Sequence, residues 1–397
     1  MSLSLDANVA RTSWWVLVGV SLCHMINDVM QSLLAAIYPL LAQEFSLDFW
    51  QIGLMTFAFQ VTASLLQPLV GLVTDRRPMP QSLPLGMGST LAGVSLLAYA
   101  TSFGGLLIGA MLIGFGSAIF HPEASRVARL ASGGKFGTAQ SFFQVGGNFG
   151  TALGPLLAAF IVVPLGRPSV AWFAVMALIG MLILNRVGAW YGALARASAS
   201  WPRVVTATGL SRSRVVWAIV LLATLTFSKN AYTASIASYY TFFLIERFDL
   251  SVVSAQQMLF LFLGASAVGV MLGGLIGDRF GPTVVIWASI LGVLPFTLML
   301  PHVGLVATGI LSVVIGLIIA SAFPAIVVYA QALLPGRVGL VAGIFFGFAF
   351  GMGGIAAAVL GVLADLRGIV WVYQLCAFLP LLGLCAIWLP RRSELAG

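Results

Sequence analysis

The stretch Gly71-Leu-Val-Thr-Asp75-Arg76 recurs as Gly274-Leu-Ile-Gly-Asp278-Arg279. Each copy reads Gly, three residues, Asp, Arg, and each closes a long apolar run. The two glycines and the two aspartates are both 203 residues apart, about half of the 397-residue chain. A charged turn that returns at half the chain length predicts two copies of one helical bundle. Composition says which solvent those bundles meet. The chain is 60% hydrophobic and 8% charged, where a soluble domain carries about 25% charged residues. Much of its surface therefore faces lipid, and the 44 glycines fit helices that approach closely there.

A membrane-spanning helix needs about 20 mainly apolar residues, and twelve segments qualify. They are 14–41, 52–73, 83–100, 106–130, 136–163 and 169–191 in the first half, and 215–245, 255–276, 283–300, 304–334, 339–363 and 370–389 in the second. The expected organisation is an N-terminal six-helix half (1–191), a linker (192–213) holding Arg196, Arg203 and Arg212, and a C-terminal six-helix half (214–397). The fold class is thus an all-α membrane protein of twelve transmembrane helices in two pseudo-symmetric halves. The first apolar segment is too long and too rich in polar side chains for a cleavable signal peptide.

The net charge of +8 raises the question of nucleic acid, but no basic cluster is long enough to form a footprint. Loop asymmetry explains the charge better. With the N-terminus in the cytoplasm, fifteen of the 19 Lys and Arg fall on cytoplasmic flanks and loops. Three (Arg167, Arg247, Arg367) fall on the opposite side, and Lys229 alone lies deep in a helix. The inside-positive bias predicts both termini in the cytoplasm. Cys23, Cys376 and Cys385 sit in apolar segments without metal-ligand spacing and read as small packing residues.

Twelve helices in two repeated halves, with Gly-x-x-x-Asp-Arg after the second and the eighth, resemble the major facilitator superfamily of secondary transporters. There the loop acts as a cytoplasmic gate, so the resemblance assigns gating to Gly71, Asp75, Arg76, Gly274, Asp278 and Arg279. The first copy, Asp75-Arg76-Arg77-Pro78, lacks the glycine usual after the basic pair; the second, Asp278-Arg279-Phe280-Gly281, keeps it. Longer strings are more specific: His24-Met-Ile-Asn27-Asp28-Val-Met-Gln31, Phe120-His121-Pro122-Glu123-Ala-Ser-Arg126, Phe143-Gln144-Val-Gly-Gly-Asn148-Phe-Gly150, Ser238-Tyr239-Tyr240-Thr241-Phe242 and residues 345–354. They resemble the bacterial fosmidomycin-resistance branch of that superfamily, over nearly the whole chain. The likeness implies a proton-driven exporter of a small phosphonate antibiotic in the bacterial inner membrane.

Ionisable side chains inside spanning helices are costly and mark functional candidates. The first helix carries His24, Asn27, Asp28 and Gln31, whose spacings of three, four and seven residues share one face. His24 lies about 15 Å along that helix, near mid-bilayer. Asp28 with His24 makes a proton site, or Asp28 is a buried polar tie to the fourth or fifth helix. The fourth helix carries His121, Glu123 and Arg126. Glu123 joins Asp28 and His24 as a proton-coupling candidate. Arg126 pairs with Glu123, anchors the cytoplasmic end, or presents its planar fork to a phosphonate. Pro122 predicts a kink. Lys229 lies about 22 Å into the seventh helix, with Tyr232 and Tyr239 nearby. It meets Asp28 or Glu123, snorkels, or awaits an anionic ligand at the interface of the halves, where such transporters bind.

Gln140, Gln144 and Asn148 form a polar stripe on the fifth helix that lines a cavity or bonds a neighbouring helix. The glycines beside it, ending in Gly154-Pro155, loosely resemble an antiporter signature; close packing explains them too. The expected substrate-binding set is therefore Arg126, Lys229, His121, Gln31, Gln144, Asn148, Tyr232 and Tyr239. The expected function is a proton-coupled antiporter exporting a small anionic, fosmidomycin-like phosphonate by alternating access. The alternative is a symporter importing a small organic anion. An enzyme is disfavoured because His24, His121 and His302 are scattered and no His-x-x-x-His or Cys-x-x-Cys occurs. The expected partners are that substrate, protons and the bilayer, with no nucleic acid, no metal and no cofactor beyond the proton gradient. The expected assembly is a monomer.

Overall fold

The computed structural model describes residues 11–199, 209–390 and 394; residues 200–208 of the expected linker, with Arg203, lie outside that set, as do Arg391 and Arg392. Regular structure among the described residues is helical throughout. The spans are α1 (Trp14–Ala36), α2 (Trp50–Arg76), α3 (Ser82–Tyr99), α4 (Phe103–Leu130), α5 (Phe136–Leu165), α6 (Arg167–Ala197), α7 (Arg212–Phe248), α8 (Gln257–Phe280), α9 (Pro282–His302), α10 (Leu305–Leu333), α11 (Val338–Arg367) and α12 (Ile369–Trp388). Eleven of them are long and apolar enough to cross a bilayer. The twelfth, α3, is diluted by Ser82, Ser89, Thr90 and Ser95 within its 18 residues.

Prolines place most of the interruptions. A proline lacks a backbone donor and suits the first turn of a helix rather than its interior. Accordingly α1 ends before a separate short helix, Tyr38–Phe45, with Pro39 in its first turn. Within α2 the chain restarts at Gln67 with Pro68, and α10 breaks at Ser321, three residues before Pro324. Beyond Pro155, α5 loosens into a wide turn over Ala158–Val162, and α12 tightens into a narrower helix over Leu379–Trp388. The exception is Pro122, which α4 carries without interruption.

The chain divides into two compact units. The first holds α1 to α6 together with residues 336–347, the opening turns of α11. Glycines set its helix pairs, because in lipid close backbone approach supplies the packing energy. A Cβ on Gly146, Gly150 or Gly154 of α5 would run into Ser21, Met25 or Ser32 of α1. Gly93 on α3 and Gly109 on α4 face each other in the same way, and Gly114 of α4 takes Thr62 of α2.

The second unit holds α7 to α10, the rest of α11 and α12. Gly269 and Gly273 of α8 lie against Leu317 and Ser321 of α10, and Gly316 returns the contact to Phe262. Its core is aromatic and aliphatic around Tyr232, Tyr240, Phe243, Phe262 and Tyr373. The two units differ in what they bury. Among the described residues, the buried acids, histidines and arginine (Asp28, Glu123, His24, His121 and Arg126) all lie in the first.

Candidate functional site

Periodicity puts His24, Asn27, Asp28 and Gln31 on one face of α1, and α5 meets that face with Gly147. A Cβ there would enter the His24 ring and crowd the Asp28 carboxylate. His24 Nδ1 lies 2.8 Å from the Phe143 carbonyl oxygen. That oxygen only accepts, so Nδ1 carries the proton. On α4, His121 Nδ1 lies 2.9 Å from the Ser117 carbonyl, to which it can donate, and 3.2 Å from Ser117 Oγ, from which it can accept. Both rings therefore turn Nε2 inward, and the two Nε2 atoms stand 3.2 Å apart.

The Asp28 carboxylate closes the triangle, with Oδ2 3.4 Å from His24 Nε2 and Oδ1 3.6 Å from His121 Nε2. Its Oδ1 also accepts from Gln31 Nε2 at 2.7 Å and from Asn27 Nδ2 at 3.1 Å. Ser117 Oγ donates to Gln31 Oε1 at 3.1 Å, which links α4 back to the same carboxylate. The imidazoles are 1% and 0% exposed and Asp28 is 5% exposed, so water screens little of this charge. Aromatic rings complete the enclosure: His24 stacks on Phe143 at 4.1 Å between centroids, and Phe346 of α11 sits 5.2 Å from His121.

Among the described residues, His24, Asp28 and His121 are the one group whose donor atoms converge closely enough to suggest a metal, all within 4.8 Å. They offer three donors. Structural zinc sites close with four protein ligands and catalytic ones keep a water position, whereas here Phe120 and Phe143 pack against His24 and Phe346 faces both rings.

A second charged cluster lies further along α4. Arg126 Nη1 donates to the Thr74 carbonyl and, at 3.2 Å, to the Tyr191 hydroxyl. Nη2 donates to Thr74 Oγ1 at 3.0 Å and to Asp75 Oδ1. Glu123 Oε1 stands 3.0 Å from Nη1, with the Glu123 side chain fully buried. Asp75 in turn accepts the backbone amides of Gly339 and Leu340 at 2.9 and 2.7 Å, the first turn of α11. Gly71 permits this approach, since a Cβ there would overlap the Gly339 backbone. The first copy of the repeated motif is thus bound into a network of α2, α4, α6 and α11. In the second copy Asp278 and Arg279 are exposed, and Arg279 lies 5.2 Å over the Phe280 ring.

The remaining candidates are dispersed. In the second unit Lys229 Nζ donates to Asn230 Oδ1 at 3.3 Å and sits 5.5 Å from the Phe323 ring. Tyr232 is packed into the aromatic core, and Tyr239 is half-buried with its hydroxyl against Gly361. In the first unit Gln144 Nε2 donates to Asn148 Oδ1 at 3.4 Å, while Gln140 Oε1 accepts from Ser125 of α4 at 2.9 Å. One end of that polar stripe is therefore an interhelical bond. The glycines beside it pack α5 on α1.

The model of the Major Facilitator Superfamily matches residues 20–358. The chain belongs to the major facilitator superfamily. The fosmidomycin resistance protein of Escherichia coli (strain K12) is 57% identical over 385 residues, 97% of this chain and 95% of that protein. An uncharacterized MFS-type transporter of Bacillus subtilis (strain 168), YfnC, is 41% identical over 389 residues, with the same coverage of 97% and 95%. Among solved structures, the MFS transporter FucP in the outward conformation aligns with a TM-score of 0.74 at 17% identity, covering 94% of this chain and 98% of its own. The human organic anion transporter MFSD10 aligns at 0.72 and 17% identity, covering 95% and 99%. At that identity the structures speak to the fold, which is the twelve-helix major facilitator fold. The chain is a multi-pass membrane transporter.

Within this major facilitator chain, sequence reading missed Ser117, Thr74, Tyr191 and Asn230. A serine four residues before His121 and a threonine beside Asp75 were visible as spacings, but neither type is rare enough in a helix to single out. Tyr191 reaches Arg126 from 65 positions away, and nothing local signals that pairing.

Proposed function

We propose that this protein exports a small anionic compound of the fosmidomycin-like phosphonate class across the bacterial inner membrane, by alternating access, in exchange for protons. The observation that carries the reading is the buried carboxylate of Asp28, inside a spanning helix and faced by two imidazoles. A helical bundle folds more cheaply without such a group, so its presence supports work on a charge that crosses the membrane. The 57% identity to a protein named for fosmidomycin resistance supports the substrate class and the outward direction. Lys229 supports an anionic cargo, because its ammonium is held by an amide oxygen and an aromatic face rather than by a carboxylate. In this scheme Asp28, His24 and Glu123 serve the proton. Lys229, with Gln31, Gln144, Asn148, Tyr232, Tyr239, His121 and Arg126 as further candidates, serves the substrate. The repeated Gly-x-x-x-Asp-Arg turns serve gating.

The test is proton movement in proteoliposomes on addition of fosmidomycin, for wild type and Asp28→Asn. Proton flux in the wild type that is lost in the variant is expected. Flux that survives in Asp28→Asn moves coupling to Glu123 or His24. A wild type that is folded but silent overturns the phosphonate reading.

A further inference from the structure

One face of α6 runs Trp172, Val175, Ile179, Leu182, Arg186, Trp190, at steps of three and four residues. Trp172, Val175, Ile179 and Leu182 are exposed apolar side chains, so this face meets lipid. Tryptophans collect at the two membrane–water interfaces. Trp172 and Trp190 are 18 residues apart, about 27 Å along a helix, close to the roughly 30 Å of the hydrocarbon layer. Trp15 of α1 meets Trp190 at 6.4 Å between ring centroids, so two helices mark the same level. Arg186 lies four residues inside Trp190, about 6 Å deeper. Both Arg186 and its neighbour Asn185 are exposed there. A charge on the lipid side of that aromatic belt is costly and calls for a partner.

The nearby helices supply no carboxylate. Neither α3 nor α6 carries an Asp or Glu, and the sequence has none between Glu123 and Glu246. Asp75, the acid at the end of α2, is taken by Arg126 and the first amides of α11. Among the described residues, Arg186 has no ion-pair partner.

Beside Arg186, α3 and α6 part to leave a groove lined by Gln81, Pro84, Leu85, Met181, Leu182 and Asn185. The helices close on either side of it. Deeper in the membrane, Gly180 packs against Met87 and Gly88 against Met181. Nearer the surface, a Cβ on Gly188 would overlap the Pro80 carbonyl oxygen, so the turn before α3 rests on α6. The deep end of the groove is therefore apolar, and its outer end carries the side-chain amides of Gln81 and Asn185 with Arg186 adjoining. Exposed Arg76 and Arg77 lead into the same turn, and exposed Arg196 follows one helical turn after Gly192, which also packs on Pro80.

Apolar surface, then amide donors, then a guanidinium is the order of a phospholipid read from acyl chain to phosphate. We infer that the α3–α6 groove binds an acidic phospholipid of the membrane, with its acyl chain on Leu85, Met181 and Leu182 and its phosphate on Arg186, Gln81 and Asn185. The planar guanidinium suits a phosphate bidentately. The surrounding arginines favour a headgroup with net negative charge over a zwitterionic one, which brings a cation of its own. The site lies on the outside of the bundle and does not rest on the transport reading.

Native mass spectrometry of the purified full-length protein tests it, from micelles holding equal amounts of phosphatidylglycerol and phosphatidylcholine with the same acyl chains. Phosphatidylglycerol adducts are expected to outnumber phosphatidylcholine adducts. Arg186→Gln should cut that preference about fivefold, the weight of one basic side chain at an anionic surface. Arg367→Gln, which removes an exposed arginine at the end of α11, should leave it unchanged. Equal adducts of the two lipids in the wild type overturn the inference. So does a preference that Arg186→Gln leaves intact, or one that Arg367→Gln lowers as much. Excess inorganic phosphate should leave the lipid bound; displacement by it would mean a site for free anions and overturn the assignment to lipid.

Discussion

Asp75 and Gly339, 264 positions apart in sequence, are joined by a hydrogen bond of 2.9 Å from the Gly339 amide to Asp75 Oδ1. The other carboxylate oxygen takes the Leu340 amide. The first amides of a helix have no partner within it and carry partial positive charge, so a carboxylate there is favourable twice over. Asp75→Asn keeps the shape and removes the charge that serves both α11 and Arg126. Hydrogen bonds to charged groups contribute about 1.5–3 kcal/mol. A lowered melting temperature and weakened transport are expected in Asp75→Asn, and a variant that melts and transports like wild type would remove Asp75 from the gate.

Gly71 makes that bond reachable. A Cβ at 71 would overlap backbone atoms of Gly339 and Leu340, which cannot rotate aside as a side chain would. Gly71→Ala is expected to destabilise by about 1–3 kcal/mol, the usual range for overpacking. Gly53 lies on the same span with nothing within 4 Å of its Cβ position, so Gly53→Ala serves as the matched control. The comparison is of thermal melting in detergent. Equal melting of the two alanine variants would mean that the close approach at Gly71 is dispensable.

The fold could be read from the chain because a bilayer leaves few solutions: apolar runs of spanning length must be helices, and the repeated Gly-x-x-x-Asp-Arg exposed the duplication. The break at Leu66 was legible in principle from Pro68. The site was legible in part. The one-face spacing of His24, Asp28 and Gln31 is a property of α1 alone, and the structure keeps it. The His24–His121 pair spans 97 positions, and which way His121 points depends on how α4 is rotated against α1. That rotation is fixed in part by the Ser117–Gln31 bond between α4 and α1, which a single helix does not reveal. Arg126 reads locally as a partner for Glu123, which it is, but its ties to Thr74, Asp75 and Tyr191 come from other helices.

Lys229 gives a prediction about cargo charge. Its ammonium meets Asn230 Oδ1 and the Phe323 face, contacts that a neutral chain of similar length would lose at small cost. Lys229→Met should therefore remain folded, with melting close to wild type, while export of anionic substrates is lost. Uptake into inverted vesicles with a fosmidomycin gradient measures it, and normal transport by the variant would sink the anion-site assignment.

The enclosed His24–Asp28–His121 group makes a prediction about metals. Three donors walled by aromatic rings suit a proton, so exhaustive dialysis against EDTA should leave transport and melting unchanged. Loss of transport on dialysis, with recovery on adding zinc, would show that the site takes an ion and that the proton assignment is wrong.

Arg126 stands between two carboxylates, Glu123 and Asp75, and is 7% exposed. Removing one partner of a buried ion pair costs about 3–5 kcal/mol, because the other charge is left without compensation. Arg126→Met strands two acids, and Asp75 alone retains backbone donors. Glu123→Gln leaves the guanidinium paired with Asp75. The expected order of destabilisation is therefore Arg126→Met well above Glu123→Gln. The double variant should recover part of the loss, because Glu123 is then no longer a buried anion facing nothing. Thermal melting of the two single variants and the double variant, set in a double-mutant cycle, measures the coupling. If the double variant is simply as unstable as the sum of the singles, the ion pair does not govern this region, and Arg126 acts through Thr74 and Tyr191 instead.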